Sequence, residues 1–133
     1  MKKNHIQKLS PANLEIMKIV WDKSEVTIND VFEAINAKRE IDLKRPTIQV
    51  QMRRLEKYGW LQHTLVGRTY YYSAVVQQHT TRKDILHDVK NRVFGGSRPE
   101  MVKCLLEDSD IGPDEIKALR NLLKEYDEEQ EFS

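Results

Sequence analysis

The chain has 133 residues, a length typical of one compact domain or of two very small ones. Charged residues make up 32% and hydrophobic residues 39%, which argues against wholesale disorder, and the apolar runs are far shorter than the roughly 20 residues that cross a bilayer. A single cysteine, Cys104, excludes an internal disulfide framework and any multi-cysteine metal site. No apolar stretch follows the lysines of residues 1–9, so we expect a cytoplasmic protein without a secretory signal or membrane insertion.

The formal net charge of +1 hides an asymmetry between the two halves of the chain. Residues 1–78 carry 13 Lys+Arg against 8 Asp+Glu, whereas residues 79–133 carry 9 against 13. Between positions 43 and 72 Glu56 is the single acid, and the basic residues there are Lys44, Arg45, Arg53, Arg54, Lys57 and Arg68. This pattern is typical of a nucleic-acid-binding module joined to an interaction segment, although a solvated basic face gives the same charge count.

Two helices are predicted near the start of the chain. Ser10 followed by proline is a helix start, and apolar residues at helical spacing predict a first helix over 11–22. Thr27 is a second N-cap with Asp30 three residues on, which predicts a second helix over 28–38. The short segment 24–26 before it could pair as an edge strand.

A third helix is predicted to begin at Pro46 and to end at Gly59, where glycine suits a left-handed cap. At 100° per residue, Ile48, Met52 and Leu55 fall on one side. The opposite side carries Pro46, Gln49, Val50, Arg53, Arg54 and Lys57. We therefore expect this helix to pack by a narrow apolar stripe and to present a basic, amide-bearing face to solvent.

Residues 60–76 change to the alternating period of a β-hairpin, with Gly67-Arg68 at its turn. Tyr70, Tyr71 and Tyr72 are consecutive, so they cannot all face the core, and we expect one or two of them to be buried. Three helices followed by a hairpin is the winged helix-turn-helix pattern, in which the third helix can enter a DNA groove. A basic residue at the tip of the wing would lie where phosphate contacts fall.

The second half of the chain contains only helical patterns, predicted over 80–94, 99–107 and 113–126, with a frayed acidic tail after them. Three helices in so short a segment cannot bury two wide apolar faces alone, so we expect a homodimer through residues 80–126. The interface residues predicted from the apolar stripes are Ile85, Val89, Met101, Val102, Leu105, Leu106, Ile116, Leu119, Leu122 and Leu123. The expected architecture is mainly α with a small β-hairpin wing: a DNA-binding domain over 1–78 and a helical dimerisation domain over 79–133.

Several motifs, in order, resemble the penicillinase repressor family of bacterial transcriptional repressors (the BlaI/MecI type). The resemblance begins with Leu9-Ser10-Pro11-Ala12-Asn13-Leu14-Glu15-Ile16-Met17 and Val20-Trp21, and continues with Pro46-Thr47-Ile48-Gln49-Val50-Gln51-Met52-Arg53-Arg54-Leu55. It ends with Tyr70-Tyr71-Tyr72-Ser73, Phe94-Gly95-Gly96, Glu115-Ile116 and Leu119-Arg120. The resemblance covers about residues 8–126, nearly the whole chain.

The resemblance implies a homodimeric winged-helix repressor that binds a palindromic operator in double-stranded DNA. It implies that the third helix enters the major groove, with Thr47, Gln49, Val50 and Arg53 nearest the base edges. It places Lys44, Arg54, Arg68 and Tyr70 nearer the phosphates. Glutamine and arginine can each make bidentate contacts to purine edges, worth roughly 1–3 kcal/mol of discrimination.

One departure from the family concerns induction. In the penicillinase and methicillin-resistance repressors, induction involves cutting of an asparagine-phenylalanine bond in the dimerisation helices. Counted without gaps from Gly95-Gly96, that position is Cys104-Leu105 here. A membrane sensor or a protease is therefore a possible partner by resemblance, but cleavage at this bond is unsupported.

The sequence gives little support for a catalytic site or a metal-binding site. The four histidines lack ligand spacing, and the sequence contains no recognisable catalytic triad or phosphate-binding glycine loop, so we expect no enzyme activity, metal or cofactor. Cys104 lies on an apolar helical face, which favours a small buried hydrophobe over a redox switch. The alternative to a repressor is a winged-helix protein-interaction module whose basic face docks an acidic partner.

Overall fold

The computed structural model describes residues 8–131, and its order of elements is the predicted one. The elements are α1 (Pro11–Lys23), β1 (Glu25–Val26), α2 (Ile28–Asn36), α3 (Arg45–Lys57), β2 (Leu61–Val66), β3 (Thr69–Ala74), α4 (Gln78–Val93), α5 (Arg98–Leu106) and α6 (Pro113–Glu131). The chain divides into two units, the first ending at Asp84 and the second beginning at Ile85. The expectation about a secretory signal concerns residues 1–9, of which 1–7 lie outside the described residues.

The first two helices begin at the side-chain caps expected from the sequence. The Asn13 backbone N–H donates to Ser10 Oγ over 3.2 Å at the start of α1. At the start of α2 the Asp30 N–H donates to Thr27 Oγ1 over 3.0 Å, and the Thr27 N–H donates to Asp30 Oδ2 over 2.9 Å. This reciprocal capping box satisfies two backbone donors that the helix itself cannot use, which fixes where the second helix starts.

The three strands form one antiparallel sheet in the order β1-β3-β2. Val26 of β1 lies opposite Tyr72 of β3, so the predicted edge-strand pairing of segment 24–26 is confirmed. On the other side of β3, His63 of β2 also lies opposite Tyr72. The strand β3 is therefore central, and its pairing with β1 connects the hairpin to the segment between α1 and α2.

A single apolar core joins the three helices to the sheet in the first unit. The buried residues of this core are Ile16, Met17, Val20, Val26, Val31, Ile35, Ile48, Met52, Leu55, Trp60, Leu61 and Tyr72. Trp21 is half-buried against it, and its indole N–H donates to the Val76 carbonyl over 2.9 Å. Of the three consecutive tyrosines only Tyr72 is buried, which agrees with the expected one or two. Tyr70 lies on the same face of the strand but is exposed.

The end of α3 sets where the wing begins. Gly59 has a φ of 89°, and its N–H donates to the Glu56 carbonyl over 3.1 Å. The Trp60 N–H donates to the Leu55 carbonyl over 2.9 Å. These two bonds and the left-handed glycine form a Schellman cap, and the side chains of Leu55 and Trp60 on either side of it are both buried in the core. The chain consequently leaves the helix at a fixed angle and enters β2 directly.

The second unit comprises the end of α4 and the helices α5 and α6, and no residue from 85 to 130 in it is buried. Two expectations fail here. Cys104 is exposed rather than buried, like most residues of α5 in the single chain. The acidic tail is not frayed from residue 127, because α6 continues to Glu131 through residues that tolerate a helix well.

Among residues 8–131, no helix is long and apolar enough to cross a membrane.

Candidate nucleic-acid interface

The interface is built on α3, which has one buried and one exposed face. Ile48, Met52 and Leu55 are fully buried on the core side, as the helical spacing predicts. Gln49 is half-buried on the other side, and the remaining residues expected there are exposed: Pro46, Val50, Arg53, Arg54 and Lys57. Thr47, which the family resemblance places nearest the base edges, is exposed as well. The helix thus lies on the core by a narrow stripe and leaves two guanidinium groups and a glutamine amide accessible from outside.

The N-terminus of α3 differs from those of α1, α2 and α5, which start with a serine or threonine side-chain cap. Its N-cap residue is Lys44, which makes no side-chain capping bond, and the first turn contains no acidic residue. The positive end of the helix dipole therefore lies beside an exposed lysine. Pro46 has no N–H, and the Thr47 N–H already donates to the Lys44 carbonyl over 3.1 Å, so the dipole and the lysine are what would attract an anion such as a phosphate.

Arg45 holds the start of α3 against α2. Its guanidinium donates to Asn29 Oδ1 over 2.8 Å and stacks on the Phe32 ring, with 4.7 Å from Cζ to the ring centroid. Since planar guanidinium groups bind aromatic faces well, this basic residue serves packing between the helices. Sequence reasoning counted Arg45 only as part of a basic run, because its partners lie 16 and 13 positions away and no local pattern marks them.

The connector between α2 and α3 is fixed by side-chain bonds. The Leu43 backbone N–H donates to Asn36 Oδ1 over 2.9 Å, and Asn36 Nδ2 donates to the Leu43 carbonyl over 3.1 Å. Arg39 pairs with Glu15 of α1 across 2.9 Å. These contacts set the position of Lys44, which follows directly.

The wing ends in a two-residue turn at Gly67-Arg68, between the paired residues Val66 and Thr69. Gly67 has a φ of 64°, whereas Arg68 does not have a positive φ, which is the pattern of a type II′ hairpin turn. Arg68 and Tyr70 are both exposed. The turn thus places a basic side chain at the tip, as the sequence predicted, with Tyr70 two residues behind it on β3.

A contact between α3 and the wing escaped sequence reasoning. His63 Nδ1 on β2 lies 2.6 Å from Glu56 Oε2 on α3. Burial raises the pKa of the nearby Tyr72 hydroxyl above its usual value of 10.0, and the Glu56 carboxylate adds to the rise while Arg53 opposes it. Helical and strand periodicity gives the face of each residue on its own element, but not which residues of different elements meet.

The residues predicted for a dimer interface all lie on the surface of the second unit. Exposed residues of this set are Ile85, Val102, Leu105, Leu106, Ile116, Leu122 and Leu123, and half-buried ones are Val89, Met101 and Leu119. Leu86, Val93 and Tyr126 are further exposed large apolar residues of the same unit that the prediction left out. So much exposed apolar surface on one small unit is typical of a protein–protein interface.

Within the described residues 8–131, no group of three or more His, Cys, Asp or Glu side chains is arranged to hold a metal ion.

Comparison with known proteins gives concordant matches. A family model described as "Penicillinase repressor" matches residues 9–125. The penicillinase repressor of Bacillus licheniformis is 32% identical over 126 residues, which are 95% of this chain and 95% of that protein. The methicillin resistance regulatory protein MecI of Staphylococcus aureus (strain N315) is 28% identical over 120 residues, or 90% of this chain and 96% of that protein. Among solved structures, a MarR mutant from E. coli complexed with operator DNA has a TM-score of 0.50 at 13% identity, over 90% of this chain and 76% of that chain, which shows a shared winged-helix fold.

Proposed function

Because this chain belongs to the penicillinase repressor family, we propose that it represses transcription by binding operator DNA as a homodimer. The observation that carries the proposal is the two-faced α3, which buries Ile48, Met52 and Leu55 and exposes Arg53 and Arg54. A helix that packs by so narrow a stripe has the rest of its surface free to enter a major groove. Because bacterial DNA lies in the cytoplasm, a DNA-binding function also places the protein in the bacterial cytoplasm.

In this proposal the bases are read by one side of α3. Arg53 contacts a guanine edge and Gln49 an adenine edge, since these side chains match those edges in bidentate geometry. Thr47 and Val50 supply smaller contacts, including an apolar one to a thymine methyl group. The exposure of Thr47, Val50 and Arg53 supports this assignment.

The phosphates are bound at both ends of the same surface. Lys44 and the uncapped N-terminus of α3 take one phosphate, and Arg54 a second. Arg68 and Tyr70 on the wing take others. The exposure of all four side chains supports these roles, and such contacts set the register of the protein on DNA without reading its sequence.

The second unit supplies the dimer contact. The homodimer buries the apolar side chains of α4, α5 and α6, including Leu105, Leu122 and Leu123, which are exposed in the single chain. A two-fold dimer presents two α3 helices to two half-sites, so its operator is an inverted repeat. The DNA-binding domain then spans 1–78 and the dimerisation domain 79–133. Cleavage at Cys104-Leu105 is no part of this proposal, since the family's asparagine-phenylalanine pair is absent.

The salt dependence of DNA binding tests the proposal. We expect the affinity of the purified protein for a random-sequence duplex to fall linearly with salt on logarithmic axes, because binding releases counterions from the phosphates. Arg68→Ala should reduce that slope by about one, the effect of losing one phosphate contact. Polyglutamate serves as a competitor that offers acidic groups without phosphates. Displacement of the duplex by polyglutamate at equal charge, or a slope unaffected by Arg68→Ala, would contradict DNA binding through the wing.

A further inference from the structure

The contact between Glu56 and His63 joins the two DNA-facing elements of the first unit. Glu56 lies in the last turn of α3, and His63 is the third residue of β2, with 2.6 Å between Oε2 and Nδ1. Their side chains are 31% and 36% exposed, so the pair is neither fully solvated nor buried. The Schellman cap joins the same two elements through the backbone, and the side-chain pair is a second connection further along the strand.

The imidazole is also held by the neighbouring strand. Its ring meets the Tyr70 ring edge-on with 4.9 Å between centroids, and it lies tilted against the Tyr72 ring at 5.6 Å. Tyr72 is buried in the core and Tyr70 is exposed near the wing tip. His63 therefore bridges from a fixed residue of the core to a residue that we assign to the DNA surface.

Basic residues outnumber acidic ones in the segment that contains this contact. Glu56 is the single acidic residue between positions 43 and 72, in a segment that otherwise carries basic residues. Arg53 lies one turn earlier on α3, and Tyr70 and Tyr72 face His63 from β3. Close to phosphates, an unpaired carboxylate would oppose binding, whereas a carboxylate paired with a protonated imidazole would not.

We propose that Glu56 and His63 form a helix–wing clamp that holds the wing in the orientation at which its tip and α3 reach the operator together. The inference rests on the proposed function, and it makes the two residues positioning residues rather than contacts to DNA. The clamp is stronger when the imidazole is protonated, since the bond then joins opposite charges.

The test uses the full chain and a double-mutant cycle. The variants are Glu56→Gln, which removes the carboxylate charge, His63→Phe, which keeps an aromatic ring but removes the nitrogen, and the double variant. The quantity measured is the ratio of affinities for a duplex selected from a random pool and for a random duplex, at one salt concentration and one pH. In this ratio the general attraction of the protein for phosphates cancels.

We expect each single variant to lower the ratio about two- to fivefold, as for a partly exposed ion pair. The double variant should lose no more than either single variant, because all three lack the same interaction. His79→Phe, at an exposed histidine of α4, is the matched control and should keep the wild-type ratio.

Additive losses in the double variant would overturn the clamp while leaving the proposed function intact. A stronger binding of Glu56→Gln to both duplexes with an unchanged ratio would also overturn it, since Glu56 would then act only as a repulsive charge. If the wild-type protein itself shows no preference for any duplex, the proposed function fails, and the clamp with it. Melting temperatures of the variants separate these results from loss of folding.

Discussion

Arg53 and Arg68 are both exposed basic residues, yet the proposal gives them different roles. Arg53 lies on α3 among residues assigned to base edges, whereas Arg68 lies at the tip of the wing. Arg53→Ala should weaken binding to the selected duplex by about 1–3 kcal/mol and relax the base preference at one position. Arg68→Ala should weaken binding to the selected and the random duplex alike. Competition titrations with both duplexes measure this, and equal effects of Arg53→Ala on the two would disprove its base-reading role.

Ser24 is strained where α1 gives way to the first strand. Its φ of 73° and ψ of −49° lie in a region that side chains avoid, and among residues 8–131 it alone among non-glycines has a positive φ. Because glycine adopts this conformation without steric cost, Ser24→Gly should stabilise the fold by about 1 kcal/mol. Ser24→Ala keeps the Cβ atom and should bring no such gain. Urea unfolding measures the stability of both variants. A Ser24→Gly protein that is no more stable than the Ser24→Ala protein would contradict backbone strain at this residue.

The sequence was enough to predict which positions of the first unit are buried. It was not enough to predict most of the side-chain bonds between different elements. Helical period identified Met52 and Leu55 as buried, because a residue's face follows from its spacing alone. The bonds of Arg45 to Asn29 and of His63 to Glu56 were missed, since each joins two elements whose mutual position the local sequence does not encode. These are the residues that position the candidate site.

Among the elements, α3 has two different faces, because one side packs on the core and the other side is exposed to solvent. Met52 is completely buried, so Met52→Ala should destabilise the first unit by about 2–5 kcal/mol. Val50, two positions earlier and half exposed, is the matched control, and Val50→Ala should change stability by no more than about 0.5 kcal/mol. Thermal unfolding followed by circular dichroism measures both. Similar losses for the two variants would mean that α3 is covered on both faces.

Element boundaries could be predicted wherever a cap or a turn residue fixes them. The capping box at Thr27, the left-handed Gly59 and the turn at Gly67-Arg68 are all in the predicted places. The predicted ends were less accurate where no such residue is present. The helix α2 ends at Asn36 rather than at residue 38, and the Asn36 side chain binds the backbone of the connector that follows. For α6 no breaker follows residue 126, and the helix runs on to Glu131.

At the scale of the whole molecule, the second unit leaves many large apolar side chains exposed. Leu123 on α6 is 69% exposed, and we expect it to be buried in the homodimer. Leu123→Glu should leave the monomer folded but weaken association at least tenfold, since it places an unpaired charge in an apolar interface. Ile41→Glu makes the same kind of replacement at a connector residue that is 85% exposed, and it should not affect association. Sedimentation equilibrium distinguishes the two, and an equally dimeric Leu123→Glu protein would contradict an interface at this residue.

In the second unit, the sequence predicted the excess of apolar surface but not the exposure of individual residues in the single chain. Apolar stripes on three short helices indicated more hydrophobic surface than the segment could cover, and no residue from 85 to 130 is buried. The same reasoning placed Cys104 in a buried position, whereas it is exposed in the single chain. Periodicity identifies an apolar face but does not say whether the chain itself or a second copy covers it.

The central claim is specific binding of a dimer to DNA, and the most direct test is selection of bound duplexes from a random pool by the purified protein. We expect the recovered sequences to share an inverted repeat whose half-sites lie a whole number of helical turns apart, about 10 base pairs or a multiple of it, as two α3 helices in a two-fold dimer require. Recovery of no preferred sequence, at a salt concentration where random duplex still binds, would contradict the account and would favour the docking of an acidic protein partner on the basic face.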